Sequence, residues 1–224
     1  MHQHRMNFTD ISLDLEESLR SLMLDYVDIY WLHRDAPGLD IEYIMDILIK
    51  LRKSGKIKLF GLSNWTAARV EMAIKYLESI NEYDGFFGVQ NRWSLASMNP
   101  DGSEDDTLVA MSSEEYNLAC EKKFFEMPYS SMGKGYFVKL QTLGKENMPK
   151  NLLKYYDNSL NDSRFASLCE ISRKYNLPLS QLTLAYMFNH PFPVIPIFRS
   201  SNKSQLFDII SSVDIELSET DMSF

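Results

Sequence analysis

A parallel α/β fold of the (β/α)8 TIM-barrel type is what this sequence predicts, on three observations. First, short apolar runs rich in β-branched and aromatic residues recur: VDIYWLH (27–33), IKLFGLS (57–63), FFGVQ (86–90), FFEMPY (124–129) and VIPIF (194–198). Such runs suit strands covered on both faces, as in parallel sheets. Second, helical patterns lie between the runs at a spacing of roughly 30 residues, which means βαβ units. Third, polar residues stand at the C-terminal ends of successive runs: His33, Ser63 with Asn64, Gln90, Tyr129 with Ser130, and Arg199 with Ser200. In a closed barrel those ends converge on one rim, where active sites are built. The competing architecture is an open, doubly wound dinucleotide-binding sheet, but no GxGxxG follows any strand.

The elements follow in order. Ile11, Leu15, Leu19 and Leu22 repeat at helical spacing after Thr9, a candidate N-cap. Ile41, Ile44, Leu48 and Leu51 do the same and stop at Ser54-Gly55. Further helices are predicted over 66–80, 113–122, 163–175, 179–190 and 203–212. The polar, turn-rich stretches 97–112 and 139–161 read as surface loops inside a single domain, 1–224, because the alternation resumes after each.

Composition narrows the function. A net charge of −8 and a pI near 5.1 leave no basic face for nucleic acid or an anionic membrane, so an anionic ligand needs a local cluster of donors. The two cysteines, Cys120 and Cys169, form no CxxC and read as reduced thiols of a cytoplasmic protein. The start, MHQHRMNFTD, has no apolar leader core, and no run approaches the ~20 apolar residues of a membrane span. No His/Cys spacing suits a metal, and no paired carboxylates at the rim point to a hydrolase.

Five stretches then carry a specific resemblance. SLRSLMLDYVDIYWLHRDAP resembles the aldo-keto reductase signature, in which a helix leads into a strand ending in the active-site histidine. KIKLFGLSNW, VQNRWSL, MPYSSMGKGYF and IPIFRSSNKSQL are similar to later landmarks of that family, in the same order. The resemblance implies an oxidoreductase that transfers a hydride between NADPH and an aldehyde or ketone. It implies that His33 orients the substrate carbonyl, as a neutral imidazole able both to donate and to accept. Ser63, Asn64 and Gln90 are implied to bind the nicotinamide carboxamide, and Tyr129 to stack on the ring. Asn64 also reads as an N-cap for the helix near Thr66. Ser130, Ser131 and Lys134 follow in the same cofactor-binding segment. Arg199, Ser200, Lys203 and Gln205 precede or open a helix, and by resemblance they hold the 2′-phosphate that distinguishes NADPH from NADH. Phe198-Arg199 departs from the family, where many members carry a glycine.

A complete member of that family also carries an Asp, a Tyr general acid and a Lys on its first three strands. Only 32 residues precede His33, and MHQHRMNF contains neither Lys nor Tyr. The expectation is therefore an N-terminally truncated barrel of about five strands, resembling the C-terminal two-thirds of the family, with impaired activity. Such a chain would expose strand edges suited to self-association or to a completing polypeptide. The alternative is a non-catalytic, NADPH-binding regulatory subunit.

Overall fold

The computed structural model describes residues 5–103 and 105–224. The first four residues of the predicted leaderless start, and Glu104 of the predicted 97–112 loop, lie outside them. The chain divides into two compact units, Met1–Asn91 with Met111–Phe125, and Arg92–Ala110 with Glu126–Phe224.

The first unit alternates helix and strand: α1 (Phe8–Leu22), β1 (Val27–Leu32), α2 (Ile41–Lys53), β2 (Ile57–Ser63), α3 (Ala67–Ser79), β3 (Phe86–Gln90) and α4 (Ser113–Lys122). The N-cap of α1 is Asn7 rather than Thr9. Its side chain accepts from the Asp10 backbone N–H, a bond that a residue already inside the helix cannot make. Ile11, Leu15 and Leu19 are buried as the helical spacing requires, but Leu22 is exposed where the helix ends at left-handed Met23. Ser54 closes α2, followed by Gly55 at φ +79°, a backbone conformation that disfavours a side chain. Thr66, not Asn64, caps α3.

Among the described residues the sheet runs β1-β2-β3-β4, β4 being Phe125–Glu126. β1 pairs parallel with β2 (Trp31 opposite Gly61, Leu32 opposite Leu62), and β2 with β3 (Ser63 opposite Gln90). The absence of a side chain at Gly61 is a packing requirement. A Cβ there would meet the Trp31 ring at 2.3 Å, and one at Gly88 would meet the Phe125 carbonyl oxygen at 1.9 Å. Ile44, Met45, Leu48, Ile57, Phe60, Leu62, Val70, Ile74 and Val89 form the fully buried centre of this unit. β1 lies at the edge of the sheet and is only half-buried, unlike the two-sided burial expected for it.

In the second unit the predicted strands shrink. FFEMPY contributes only β4, and VIPIF is a single parallel bridge, Glu126 to Val194, rather than a fifth strand. The reason is proline. The N–H groups of Ile195 and Ile197 bond Glu126 O (2.8 Å) and Pro128 O (2.9 Å), but Pro128 has no N–H to donate back to this segment and Pro193 none to extend the ladder. The stretch 139–161, read as a loop, is instead largely helical. It holds the end of α5 (Tyr136–Leu143), α6 (Lys150–Tyr156) and the start of α7 (Ser159–Tyr175). Leu140, Met148, Leu152 and Tyr156 are buried there, packed with Tyr136, Phe137 and Leu168. Their spacing was obscured by the lysines and asparagines between them. α8 (Leu179–Phe188) and α9 (Lys203–Ile210) end two residues short of their predicted ends.

Candidate functional site

The predicted site residues fall into two groups, one in each unit. The first group forms where β1, β2 and β3 end. Parallel pairing brings these ends together because the register aligns Leu32 with Leu62 and Ser63 with Gln90. His33 follows β1 and is exposed. Asn64 follows β2, is 3% exposed, and adopts φ +59°, a conformation that Asn tolerates better than most residues. Its side-chain Nδ2 donates to the His33 carbonyl (3.1 Å) and to Ser63 Oγ (3.1 Å), and Ser63 Oγ donates to the Gln90 carbonyl (2.7 Å). Three strand ends are thus tied by side chains.

Three participants were missed by sequence reasoning. Asn91 Oδ1 accepts the Asn64 backbone N–H at 2.7 Å, and Asn91 Nδ2 donates to the Trp65 carbonyl and to Glu115 Oε2, both at 2.8 Å. Glu115, fully buried on α4, is the second. Burial pushes its carboxyl up to about 8, opposed by the Asn91 bond. The signal for it lay in the sequence: Glu115 shares the apolar face of α4 with Leu118 and Ala119, where a carboxylate needs a reason. Arg34 is also part of the site. Its guanidinium sits 3.1 Å from His33 Nε2 and bonds the His33 carbonyl at 2.8 Å. A guanidinium only donates, so Nε2 is the acceptor in that pair. Downstream, Arg69 holds Asp35 through two bonds of 2.8 and 2.9 Å and also bonds the Ala36 and Leu39 carbonyls, fixing the loop after His33. Asp28, inside β1, is exposed and paired with Lys58.

The second group is built differently. Tyr129 is half-buried, and its carbonyl accepts the Trp93 N–H at 3.3 Å. Ser130 follows at φ +56°, and its carbonyl accepts the Gly133 N–H (2.8 Å), making a tight turn. Ser131 is fully buried and donates to the Ile197 carbonyl (2.7 Å), so its hydroxyl joins the 129–131 turn to the 193–197 segment. Lys134 is exposed, with its ammonium 4.0 Å over the Tyr155 ring. Arg199 and Lys203 are exposed, with no ion-pair partner among the described residues, and Ser200 is half-buried. Asn202 caps α9 by accepting the Gln205 N–H (2.9 Å), while Gln205 Oε1 accepts the Ser201 N–H (2.8 Å). The two bonds order the start of α9 and engage the Gln205 oxygen.

A groove of about 500 Å³ between α3 and α4 contains none of these residues. Glu71, Glu114 and Glu121 line it, so it is ill-suited to a phosphate. No helix among the described residues is long and apolar enough to cross a membrane.

The aldo/keto reductase family profile matches residues 1–223, and the chain belongs to that family. Among curated proteins it is similar to the uncharacterized oxidoreductase YcsN of Bacillus subtilis (strain 168), at 23% identity over 97% of this chain and 63% of that protein. It is also similar to the protein tas of Escherichia coli (strain K12), at 26% identity over 92% of this chain and 62% of that one. Among solved structures, the thermostable aldo-keto reductase Tm1743, crystallised with the inhibitor epalrestat, superimposes with a TM-score of 0.66. That match has 19% identity and covers 97% of this chain and 65% of Tm1743. The chain therefore spans somewhat less than two-thirds of the length of these relatives.

Proposed function

We propose that this chain binds NADPH and belongs to an oxidoreductase that reduces an aldehyde or ketone to an alcohol. The observation that carries the reading is the tied cluster of His33, Ser63, Asn64 and Gln90 at three adjacent strand ends. Its chemistry fits a carboxamide: none of Ser63, Asn64, Gln90 or Asn91 is charged, and the Gln90 side chain offers both a donor and an acceptor. The Gln90 amide has no hydrogen bond to any described residue, so it is available to a ligand. Tyr129 supplies an aromatic face for the ring, with Ser130, Ser131 and Lys134 shaping the turn beside it. Arg199 and Lys203, with Ser200 and Gln205, supply cationic and polar donors for the 2′-phosphate. When bound, the cofactor supplies the hydride; His33 orients the carbonyl.

Within this chain the acid–base set is weak. No Lys precedes His33, and the β1 tyrosine, Tyr30, is pushed above the ordinary phenol range by burial and then by Asp14, the opposite of what a proton donor needs. An acid–base set of Asp, Tyr and Lys placed beside His33 would complete the reaction, whichever polypeptide segment supplies it. The same facts support a second reading, a non-catalytic NADPH-binding regulatory subunit. Two free thiols, Cys120 and Cys169, support a cytoplasmic location.

Titration of the folded chain with NADPH, followed by tryptophan fluorescence, tests binding, and saturable quenching is expected. No response at millimolar cofactor removes the cofactor reading altogether. NADPH oxidation with a panel of aldehydes, with and without a segment carrying the first three strands of a relative, separates enzyme from regulator. Turnover that rises with the segment supports the enzyme, and binding without turnover in both cases supports the regulator.

A further inference from the structure

We propose that Glu115 is a positioning residue for the carboxamide site: acting through Asn91, it fixes the backbone and side chain of Asn64. The proposal rests on the reading above that Ser63, Asn64 and Gln90 receive a carboxamide. The Asn91 side chain is 1% exposed and has every hydrogen of its amide committed. One Nδ2 hydrogen goes to the Trp65 carbonyl and the other to Glu115 Oε2, while Oδ1 accepts from Asn64 N. This leaves the amide a single orientation, because a flipped Asn91 would set its NH₂ against the Asn64 N–H. Asn64 in turn holds a left-handed backbone and spans His33 and Ser63. A continuous path of hydrogen bonds thus runs from the buried face of α4 to His33, the residue that follows β1.

Stability alone gives no reason to keep a carboxyl here. Glu115 Oε1 is buried with no hydrogen-bond partner among the described residues, and an apolar side chain would fill the same face beside Leu118 and Ala119 without that penalty. What an apolar residue cannot do is accept the Asn91 hydrogen.

The test uses the 224-residue chain and three variants. Glu115→Gln keeps a carbonyl acceptor, whereas Glu115→Met and Glu115→Ala remove it. Two quantities are read: hydrogen exchange at the Asn64 backbone amide by NMR, and the ratio of affinities for NADPH and for 2′-phospho-ADP-ribose, which lacks the nicotinamide. In the Met and Ala variants Asn64 exchange should accelerate tenfold or more relative to other core amides. The NADPH affinity should fall about tenfold while the fragment's is unchanged, and Glu115→Gln should restore both. A general structural role would lower both ligands together and speed core exchange everywhere, which overturns the proposal, as does unchanged Asn64 exchange. Loss of the fold in both apolar variants also overturns it, since a carboxyl that only orients Asn91 is dispensable to the core. If the unmodified chain binds the fragment as tightly as NADPH, the carboxamide reading itself fails, and that result is visible before any variant is made.

Discussion

The two groups of candidate residues solve recognition in opposite ways. In the first unit, Ser63, Asn64 and Asn91 are buried and bonded to fixed backbone positions, so their donors and acceptors point in set directions. In the second, Arg199 and Lys203 stand in solvent, Lys203 as the first residue of α9 and Arg199 in the segment before it. The difference matches the chemistry each would recognise. A neutral amide is distinguished by the direction of its hydrogen bonds, which demands rigidity. A phosphate is distinguished by charge, which tolerates mobile side chains.

The largest effect expected from that contrast is on stability. Asn91→Ala leaves the Asn64 N–H, the Trp65 carbonyl and Glu115 without their partner, at about 1–3 kcal/mol for each buried orphan and less than additive in sum. Urea denaturation should show a loss of about 2–4 kcal/mol. Replacing both Arg199 and Lys203 by Ala should change stability by less than about 0.5 kcal/mol. A comparable loss in the two variants would erase the distinction between the groups.

pH offers a second way to separate the units. Burial raises Glu115 in the first unit from 4.5 to about 8. Burial against the rings of Trp93, Tyr186 and Phe192 lowers His190 in the second from 6.5 to about 4. The signs are opposite. Between about 4.5 and 8 the unfolded state has lost the Glu115 proton that the folded state keeps, so this group's contribution falls as pH rises. Between about 6.5 and 4 the unfolded state takes up a His190 proton that the folded state refuses, so this contribution falls as pH drops. Melting temperatures across pH 4 to 9 should show Glu115→Gln removing a decline as pH rises from about 4.5 to 8, and His190→Phe removing a decline as pH drops from about 6.5 to 4. A change of the wrong sign in either variant would refute the assignment.

Smaller still is the effect on cofactor choice. Arg199→Ala with Lys203→Ala should weaken NADPH by about tenfold, from lost charge-assisted bonds, and leave NADH nearly unchanged. Equal loss for both, measured by fluorescence titration, would remove the phosphate role. The smallest expected change is a gain: Ser130→Gly relieves a left-handed backbone at φ +56° and should stabilise by about 0.5 kcal/mol or less, because glycine also costs entropy in the unfolded chain.

Local pattern made much of the first unit legible. The repeats Ile11-Leu15-Leu19 and Ile41-Ile44-Leu48-Leu51 became buried helix faces, and IKLFGLS and FFGVQ became adjacent parallel strands. These signals survive in sequence because each depends on residues only a few positions apart. His33, Ser63, Asn64 and Gln90 could be picked out at strand ends for the same reason. The sequence also carried the prolines 128 and 193 that reduce VIPIF to a bridge, although its apolar content argued for a strand. What tertiary structure alone decided was the partner of each polar group. Asn91 was an ordinary residue after a strand, and Glu115, although it falls on the apolar face of α4, carried no sign of which group it would bond. They are 24 residues apart, and their 2.8 Å bond exists because packing places α4 beside the end of β3. A hydrogen bond depends on distance and direction to within fractions of an ångström, and periodicity along one chain holds no record of either across such a separation.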